Sequence, residues 1–542
     1  MDRKFLFERN LLALSKNSPE LCARLSAART DGNVYRFLVS RTGETVAALV
    51  LPSGSARPLH STVDPRREAE RLAGASNGEG FFIFLGLGGG FAPLAVLKKK
   101  ETKQVLVVDY SCDGVAELLC SKDYTGLFGD PRFHLLVDPP EGAIQAYITG
   151  HYRPALQGGV RALPLLPRTE GIGAFVPAHK EVKKALDACS RDYSVQAWFG
   201  KRWFSNILRN LSQAELSYFS LPPVRRAAIT AAGPSLDSHL SRLREERAGT
   251  FLIATDTSLP ALLNAGLEPD AALSIDCQHI SYQHFFCGLP KKTFLFLDLA
   301  SPRSVAACSE KTVFFAGGHP LARYIRNVWR PLPNLDTSGA NVTCAAFSLA
   351  ENLGASEITL YGADFSYPQG KTYARGTYIY PFFEKNQNRL LSMEAQHSAF
   401  LYRGPPLEKH SSENGESRWY YETESLRFYK TMLEQKAAAS AKKRFEKDGT
   451  FVFTPAGRRT ISLFAAGSPR QSALEFLLSY KRKIEELPSF DEHEDENRNI
   501  VTTLLPVAAA VRRQAPLTTE LFRETRDWCV AELEKVIGRL YL

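Results

Sequence analysis

Between Arg225 and Tyr373 short apolar runs alternate with turns and helix-like stretches, an alternation that an open α/β sheet satisfies and few other architectures do. The runs are Ala227–Ala231, Phe251–Ala254, Ala271–Ile275, Thr293–Leu297, Val313–Ala316 and Ile358–Tyr361. Each is short and almost wholly apolar, as a parallel strand covered on both faces must be. The first breaks at Gly233-Pro234 and resumes as a helix from Ser235, with Leu236, Leu240 and Leu243 on one face. A strand that turns sharply into a helix aims free N–H groups and the positive end of the helix dipole at one spot. Such a spot favours an anion, most often a phosphate. Gly233 lets the backbone come close, and the Ser235 hydroxyl is placed to cap the helix or touch a ligand. The segment closes with Thr337-Ser338-Gly339, a small-residue helix, a strand at Glu357–Leu360, and Gly362-Ala363-Asp364-Phe365. These turns are expected to form two lips of one nucleotide site. Asp256 and Asp276 fall just after their strands, where ligands of open α/β sheets collect.

A second strand–helix alternation lies upstream. Phe81–Leu85 reads as a buried strand, followed by Gly86-Leu87-Gly88-Gly89-Gly90, a helix over Phe91–Lys100, and a strand Gln104–Val108 ending in Asp109. Glycines after a first strand and an acid after the second can hold a nucleotide or an S-adenosyl group. Glycine-rich turns also serve tight strand–helix packing, and packing is the reading preferred here. Leu135–Val137 adds another strand ending in Asp138. Ahead of this region, Phe5–Ala28 is helix-like, Val34–Ser40 and Thr45–Leu51 read as a hairpin, and Asp64-Pro65 opens a helix. Behind it, Lys180–Leu211 reads as one long helix whose Trp198, Phe199, Trp203 and Phe204 suit packing between domains. From Gly376 to Tyr421 turn residues outweigh periodicity, including Gly404-Pro405-Pro406 and His410–Gly415, as in a lid or substrate loop. Thr423–Lys443 returns to helix, and Thr450–Thr454 is a short strand ending at Pro455-Ala456-Gly457. After Ser468-Pro469 the chain reads as helical, with Phe522, Cys529, Leu533, Val536 and Leu540 on one face. The acidic stretch Phe490–Asn497 reads as solvated surface. The expected domains are a small α+β unit at 1–75, a Rossmann-like glycine-rich domain at 76–200, a central α/β domain at 201–465 and a helical domain at 466–542.

Composition narrows the partners. The 542 residues carry a net charge of +9 without a sustained basic stripe, which suits an anionic small molecule or acidic partner better than nucleic acid. The nine cysteines are scattered, with no CxxC pair or zinc spacing, so a reducing compartment is expected. No clean signal-peptide core and no uncharged span-length apolar run is present, so the expected location is cytoplasmic, without membrane insertion.

A Walker A lysine loop, HExxH and a Gly-x-Ser-x-Gly elbow are all missing. The informative set is Gly233-Pro234-Ser235, Asp256, Asp276, Thr337-Ser338-Gly339, Asp364 and the run from Tyr367 to Tyr373. That run places two phenols in one loop after a strand end, where they can donate hydrogen bonds to a departing phosphate without a metal.

These residues resemble the motility accessory factor (Maf) family. The resemblance rests on Ala231–Asp237, on Ala254-Thr255-Asp256-Thr257 with Gly266–Asp270 and Ser274-Ile275-Asp276, and on Gly362–Phe365. His60–Pro65 and Gly200-Lys201-Arg202-Trp203 are similar to the family as well. The central domain is also similar to small bacterial sialyltransferases, which share Gly-Pro-Ser-Leu, Thr-Ser-Gly and Tyr-x-x-Gly-x-x-Tyr after Gly-x-Asp-Phe. The resemblance implies a glycosyltransferase that moves a nonulosonic sugar, such as pseudaminic or legionaminic acid, from a cytidine monophosphate (CMP) donor to flagellin Ser or Thr. It implies that Gly233, Pro234, Ser235, Asp256, Ser338 and Gly339 hold the cytidine monophosphate portion of the donor, and Asp276, Thr337 and Asp364 of the same constellation are expected to contact the nucleotide with them. Tyr367 and Tyr373 would stabilise the departing phosphate, and His410 or His397 would serve as general base. No resident cofactor or metal is required by this scheme. Two positions depart from the sialyltransferases: Ala232 precedes Gly-Pro-Ser where they carry Asn, and Asp256 replaces an Asn.

Two other classes stay open. Archaeal-type 6-hydroxymethylpterin diphosphokinases share the Gly-Pro-Ser, Asp-Thr and Pro-Asp pattern and would use Asp256 and Asp276 to hold magnesium. A flagellin chaperone would keep the fold with no need of two loop tyrosines.

Overall fold

The computed structural model describes residues 3–540 apart from 76–77, 171, 218, 340, 412–418, 446–449, 456–463, 466, 491–494 and 514–519. Parts of the sequence readings at His410–Gly415, Pro455-Ala456-Gly457 and Phe490–Asn497 therefore lie outside the described residues. The chain divides into two compact units, residues 1–198 with 508–521 and residues 199–507 with 522–542.

The first unit is built on a parallel sheet of β1 (Glu79–Leu85), β2 (Gln104–Asp109), β3 (Phe133–Val137) and β4 (Gly159–Pro164), in the order β3-β2-β1-β4. Its central strands are buried along both faces, which is why they read as unbroken apolar runs. The hairpin Tyr35–Val39/Thr45–Val50 forms as expected, with a third short strand at Ala56–Pro58. Asp64 caps its helix by accepting from the Arg67 N–H at 3.0 Å, with Pro65 in the first turn. The single helix expected over Phe5–Ala28 is two, Arg3–Ser15 and Pro19–Ser26, because Pro19 can begin a helix but not continue one.

The second unit carries an eight-stranded sheet. Its strands are β5 (Arg226–Thr230), β6 (Phe251–Thr255), β7 (Ala271–Ser274), β8 (Phe294–Asp298), β9 (Thr312–Phe315) and β10 (Glu357–Tyr361), then β14 (Ala441–Phe445) and β15 (Phe451–Pro455) after a separate small sheet. The order is β9-β8-β7-β6-β5-β10-β15-β14, parallel through β10 and antiparallel beyond. The helix read over Thr423–Lys443 ends at Ser440, and the chain enters β14. The small sheet holds β11 (Tyr367–Pro368), β12 (Glu408–Ser411) and β13 (Trp419–Glu422), in the order β11-β13-β12. The stretch read as irregular after Gly376 also holds two helices, Ile379–Asn386 and Met393–Tyr402. Of the latter, only Gln396 and Leu401 are buried, so no apolar stripe announced it.

The 42-residue helix Phe175–Leu216 contains the boundary between the units. Within the second unit, Phe204 is fully buried against Tyr480 and Trp528. Gly200 lies so close to the Pro506 carbonyl that an added Cβ would fall 1.8 Å from its oxygen. Pro506 sits inside the helix Asp495–Arg512, so two helix backbones meet with no side chain between them. In the C-terminal helix Cys529, Leu533 and Val536 are buried, on the expected face.

Candidate active site

From β5 the chain steps outward to β9 and then returns to place β10 on the other side of β5. The carboxyl ends of β5 and β10 therefore flank the topological switch point, where ligands of open α/β sheets bind. The turns leaving these strands are bonded to each other. The Gly233 N–H donates to the Gly362 carbonyl at 2.8 Å, and the Ser235 N–H donates to Asp364 Oδ2 at 3.0 Å. A Cβ on Gly233 would lie 2.1 Å from that Asp364 oxygen and 2.5 Å from the Gly362 carbonyl oxygen. The Gly233 and Ser235 N–H groups, expected to face a ligand, are engaged within the protein. The anion at this helix N-terminus is the protein's own Asp364, and the close approach that requires glycine is made to the protein's own backbone. The Ser235 side chain does not cap the helix. Burial pushes the Asp364 carboxyl up, against hydrogen bonds from Ser235 that favour its charged form.

Asp256 follows β6 and is buried. Its Oδ1 accepts from the Thr257 N–H at 2.7 Å, and its Oδ2 accepts from the Ser274 hydroxyl at 2.7 Å. Asp276, after β7, accepts from the Gln278 N–H at 2.9 Å. Burial raises its carboxyl and the nearby Asp256 adds to this, while His284 works the other way. The tyrosine loop folds back onto this edge: the Ala374 N–H donates to the Ala232 carbonyl at 2.9 Å. Burial raises the Tyr373 phenol, followed by its neighbours Tyr378 and Tyr367, with a smaller contribution from Asp256. A phenol shifted upward stays protonated and so remains a donor. Tyr367 is raised by burial as well.

Thr337-Ser338-Gly339 stands further along the same edge. Thr337 Oγ1 accepts from the Gly318 N–H at 3.0 Å, and Ser338 N–H donates to Asp336 Oδ1 at 2.9 Å. The Thr337 hydroxyl and the carboxylate of Asp298, the last residue of β8, both crowd Gly317. Burial pushes Asp298 up to about 7. Three strand spacings separate β5 from β8, about 14 Å, so the two turns are far enough apart for a nucleotide to lie between them. Helix residues Asn206 and Asn210 tie down loops on this edge. Asn206 Nδ2 donates to the carbonyls of Cys277 and Ala300, at 3.1 and 2.8 Å, and Asn210 Nδ2 to those of Leu299 and Ser301, at 3.0 and 2.8 Å.

The two candidate histidines separate. In the small sheet Tyr367 and Lys409 both pair with Tyr421, while Pro368 and His410 both pair with Tyr420. Paired residues share a face and successive residues alternate, so His410 faces away from the side that Tyr367 occupies. It stacks on Tyr420, with Nε2 3.7 Å from Glu422. His397 instead lines, with Tyr373, a cavity of about 890 Å³ that Asp237, Asn264, Lys371 and Tyr421 also border. Its Nδ1 lies 2.9 Å from the Thr372 hydroxyl, and burial lowers its pKa.

Sequence reasoning missed Tyr378 and His284. Tyr378 stands beside Tyr373, ring centroids 6.0 Å apart, and His284 meets Tyr378 edge-to-face at 4.6 Å. Their positions next to candidate residues, His284 following Asp276 in one loop and Tyr378 following Tyr373, were the only signals in the sequence.

The glycine-rich turn of the first unit is internally committed. The Gly86 N–H donates to the Val108 carbonyl, Leu87 N–H to Asp109, and Gly89 N–H to His60 Nε2 at 2.8 Å. Lys122 and Tyr124 donate to the carbonyls of Gly89 and Gly88, and Asp109 pairs with the buried Arg168 at 2.9 Å. Added Cβ atoms at Gly88 and Gly89 would strike His60, Leu165 and Phe91. Among the described residues no group of three or more His, Cys, Asp or Glu side chains is arranged for a metal ion, and no helix is long and apolar enough to cross a membrane.

The MptE-like family, described as 6-hydroxymethylpterin diphosphokinase MptE-like, matches residues 201–370. Two uncharacterised proteins of Treponema pallidum (strain Nichols) are similar in sequence. One is 35% identical over 156 residues, 28% of this chain and 54% of the relative, so the match spans about half of that protein's length. The other is 32% identical over 176 residues, 31% of this chain and 82% of the relative. The solved structure of a Maf glycosyltransferase from Magnetospirillum magneticum AMB-1 superposes with a TM-score of 0.60 at 14% identity, covering 99% of this chain and 95% of that one. The multidomain α/β fold expected from the sequence is thus the fold observed, and it is shared with that Maf glycosyltransferase.

Proposed function

We propose, for a chain that belongs to one family with the second of these Treponema pallidum proteins and carries the fold of a Maf glycosyltransferase, that it transfers a nonulosonic sugar from a CMP-activated donor to Ser or Thr of flagellin. The observation that carries this reading is the shared cavity of Tyr373 and His397, placed beside the switch-point crevice of a glycosyltransferase fold. In this reading the nucleotide lies along the carboxyl edge, between the β5 turn at Gly233-Pro234-Ser235 and Thr337-Ser338-Gly339. Asp256, Asp276 and Asp364 shape its floor. The acceptor hydroxyl enters through the cavity and gives its proton to His397, which replaces His410 in the role of base. Its oxygen bonds to the anomeric carbon as the bond to phosphate breaks, and the electron pair leaves with CMP. Tyr373 and Tyr367 donate hydrogen bonds to the phosphate oxygens as their charge grows.

Purified protein, flagellin and a cytidine-activated nonulosonate should give a flagellin mass increase matching one or more sugar residues. Tyr373→Phe removes a donor but little volume, so turnover should fall roughly ten- to a thousandfold while the donor still binds. His397→Ala should fall comparably and His410→Ala should stay near wild type. A flagellin mass unchanged by the wild-type protein would refute the transfer.

The MptE-like match over residues 201–370 and the proximity of Asp256 to Asp276 favour one second reading, magnesium-dependent pyrophosphoryl transfer to a hydroxymethylpterin. Both Asp256 oxygens already accept hydrogen bonds, which leaves Asp276 as the freer ligand. Product formation from hydroxymethylpterin and ATP that EDTA abolishes would favour this reading over sugar transfer.

A further inference from the structure

Among the described residues His284 is an imidazole beside the crevice whose polar chemistry is unfinished. Its Nδ1 is shielded from solvent and has no hydrogen-bond partner among the described residues. A buried ring nitrogen without a partner is uncommon in native structures and points to an atom that arrives with a ligand. The surroundings say what kind of atom. His284 lies in the turn His279–Phe285 that follows Asp276, and its ring meets Tyr378 edge-to-face at 4.6 Å. Tyr378 in turn stands beside Tyr373. The carboxylates of Asp256, Asp276 and Asp364 crowd the strand ends, and an anionic nucleotide entering there meets repulsion unless a cation faces it. The His284 ring, near Asp276, offers an N–H donor to an anion at that place.

We propose that His284 is the anion-contacting residue of this crevice, donating from Nδ1 to a phosphate oxygen of the bound nucleotide, with Tyr378 setting the ring plane. This rests on the reading that the crevice holds a phosphate-bearing donor, and it leaves open which group is transferred. Tyr378 is the positioning residue in this scheme. His284 joins Tyr373 as a donor to the departing phosphate.

The test uses the full chain labelled with 15N-histidine. CMP, ATP, inorganic phosphate and unphosphorylated cytidine are each titrated while the ring nitrogens are followed by NMR, with His284→Asn assigning the resonance. CMP should shift the His284 resonance saturably, and cytidine should leave it in place. His284→Ala should weaken CMP binding roughly ten- to hundredfold by calorimetry at an unchanged Tm. His284→Asn, whose amide reaches the Nδ1 position, should recover part of that loss. Tyr378→Phe, which keeps the ring against His284, should retain the CMP-induced shift of the His284 resonance, and Tyr378→Ala should diminish it. A His284 resonance that answers to ATP but not to CMP keeps this inference and removes the cytidine-sugar reading. If no phosphate-bearing ligand moves the resonance, or if His284→Ala binds CMP as tightly as wild type, the inference is overturned.

Discussion

Gly233 illustrates how a glycine marked by a close approach can meet the protein's own atoms. The sequence marks it as a place where something comes close, and something does: Asp364 and the Gly362 carbonyl. Gly233→Ala should therefore lower Tm, by the equivalent of about 1–3 kcal/mol of overpacking, whether or not a nucleotide is present. Coupling to Asp364→Ala in a double-mutant cycle would confirm the contact, and simple additivity would argue against it. Asp298 offers a second residue-scale prediction, through pH. Its carboxyl rises from an ordinary 3.8 to about 7 on burial, so the folded chain holds a proton there that the unfolded chain has lost. Stability from this group is full below pH 4, falls as pH rises through the window from about 4 to 7, and is flat above it. The loss is on the order of 4 kcal/mol. His319, buried and held down to about 3, has the opposite slope, costing stability as pH falls below its ordinary 6.5. In Asp298→Asn only the His319 slope should remain of this pair. The Tm difference between mutant and wild type should grow from pH 4 to pH 7 and then level off. An equal difference at pH 4 and pH 8 would mean that Asp298 stays ionised throughout.

At the scale of elements, the central strands were legible because burial on both faces leaves an uninterrupted apolar signature. The run Ala227–Ala231 is observed as Arg226–Thr230, and Phe251–Ala254 as Phe251–Thr255. The helices between Gly376 and Tyr421 were not legible, because their buried positions include Gln396, which donates to the Phe383 carbonyl, instead of a repeating apolar stripe. The hairpin β12–β13 escaped notice for a related reason: Glu-Lys-His-Ser in β12 has no apolar alternation, and an ion-pair network of Arg427 with Glu408 and Glu422 flanks it. This is also why His410 and His397 could not be ranked by spacing. The face on which a strand residue points is fixed by register, and register is not visible in a polar strand. The glycine-rich turn gives an element-scale prediction. With its amides directed at Val108, Asp109 and His60, Gly88→Ala should lower Tm, while S-adenosylmethionine or a dinucleotide should shift the Tm of neither wild type nor variant. A ligand-induced shift of the wild type that Gly88→Ala loses would reopen that turn as a site.

At the scale of the molecule, sequence and fold speak to different extents of the chain. The MptE-like match stops at residue 370, before Tyr373, Tyr378 and His397, whereas the superposition on the Maf glycosyltransferase runs over nearly the whole chain. Tyr367, Asp256, Asp276 and His284 thus fall inside the family match, while Tyr373, Tyr378 and His397 fall beyond its end. Along the chain, the site-bearing unit begins near residue 199 and is finished by residues up to 507 and from 522 to 542. The contact between Gly200 and the Pro506 carbonyl gives that interval a temporal meaning. During synthesis the notch at Gly200 and the flank of Phe204 emerge well before the Pro506 backbone, Tyr480 and Trp528 that cover them. Long-range closure of this kind is slow, and the apolar surface waiting for it is open to wrong partners. A chain ending at residue 465 should accordingly bind a hydrophobic dye and aggregate, and adding the segment 466–542 in trans should suppress both. The helices of the segment 466–542 act as the closing step for this unit, and the unit that carries the candidate site stays exposed to misfolding until they arrive.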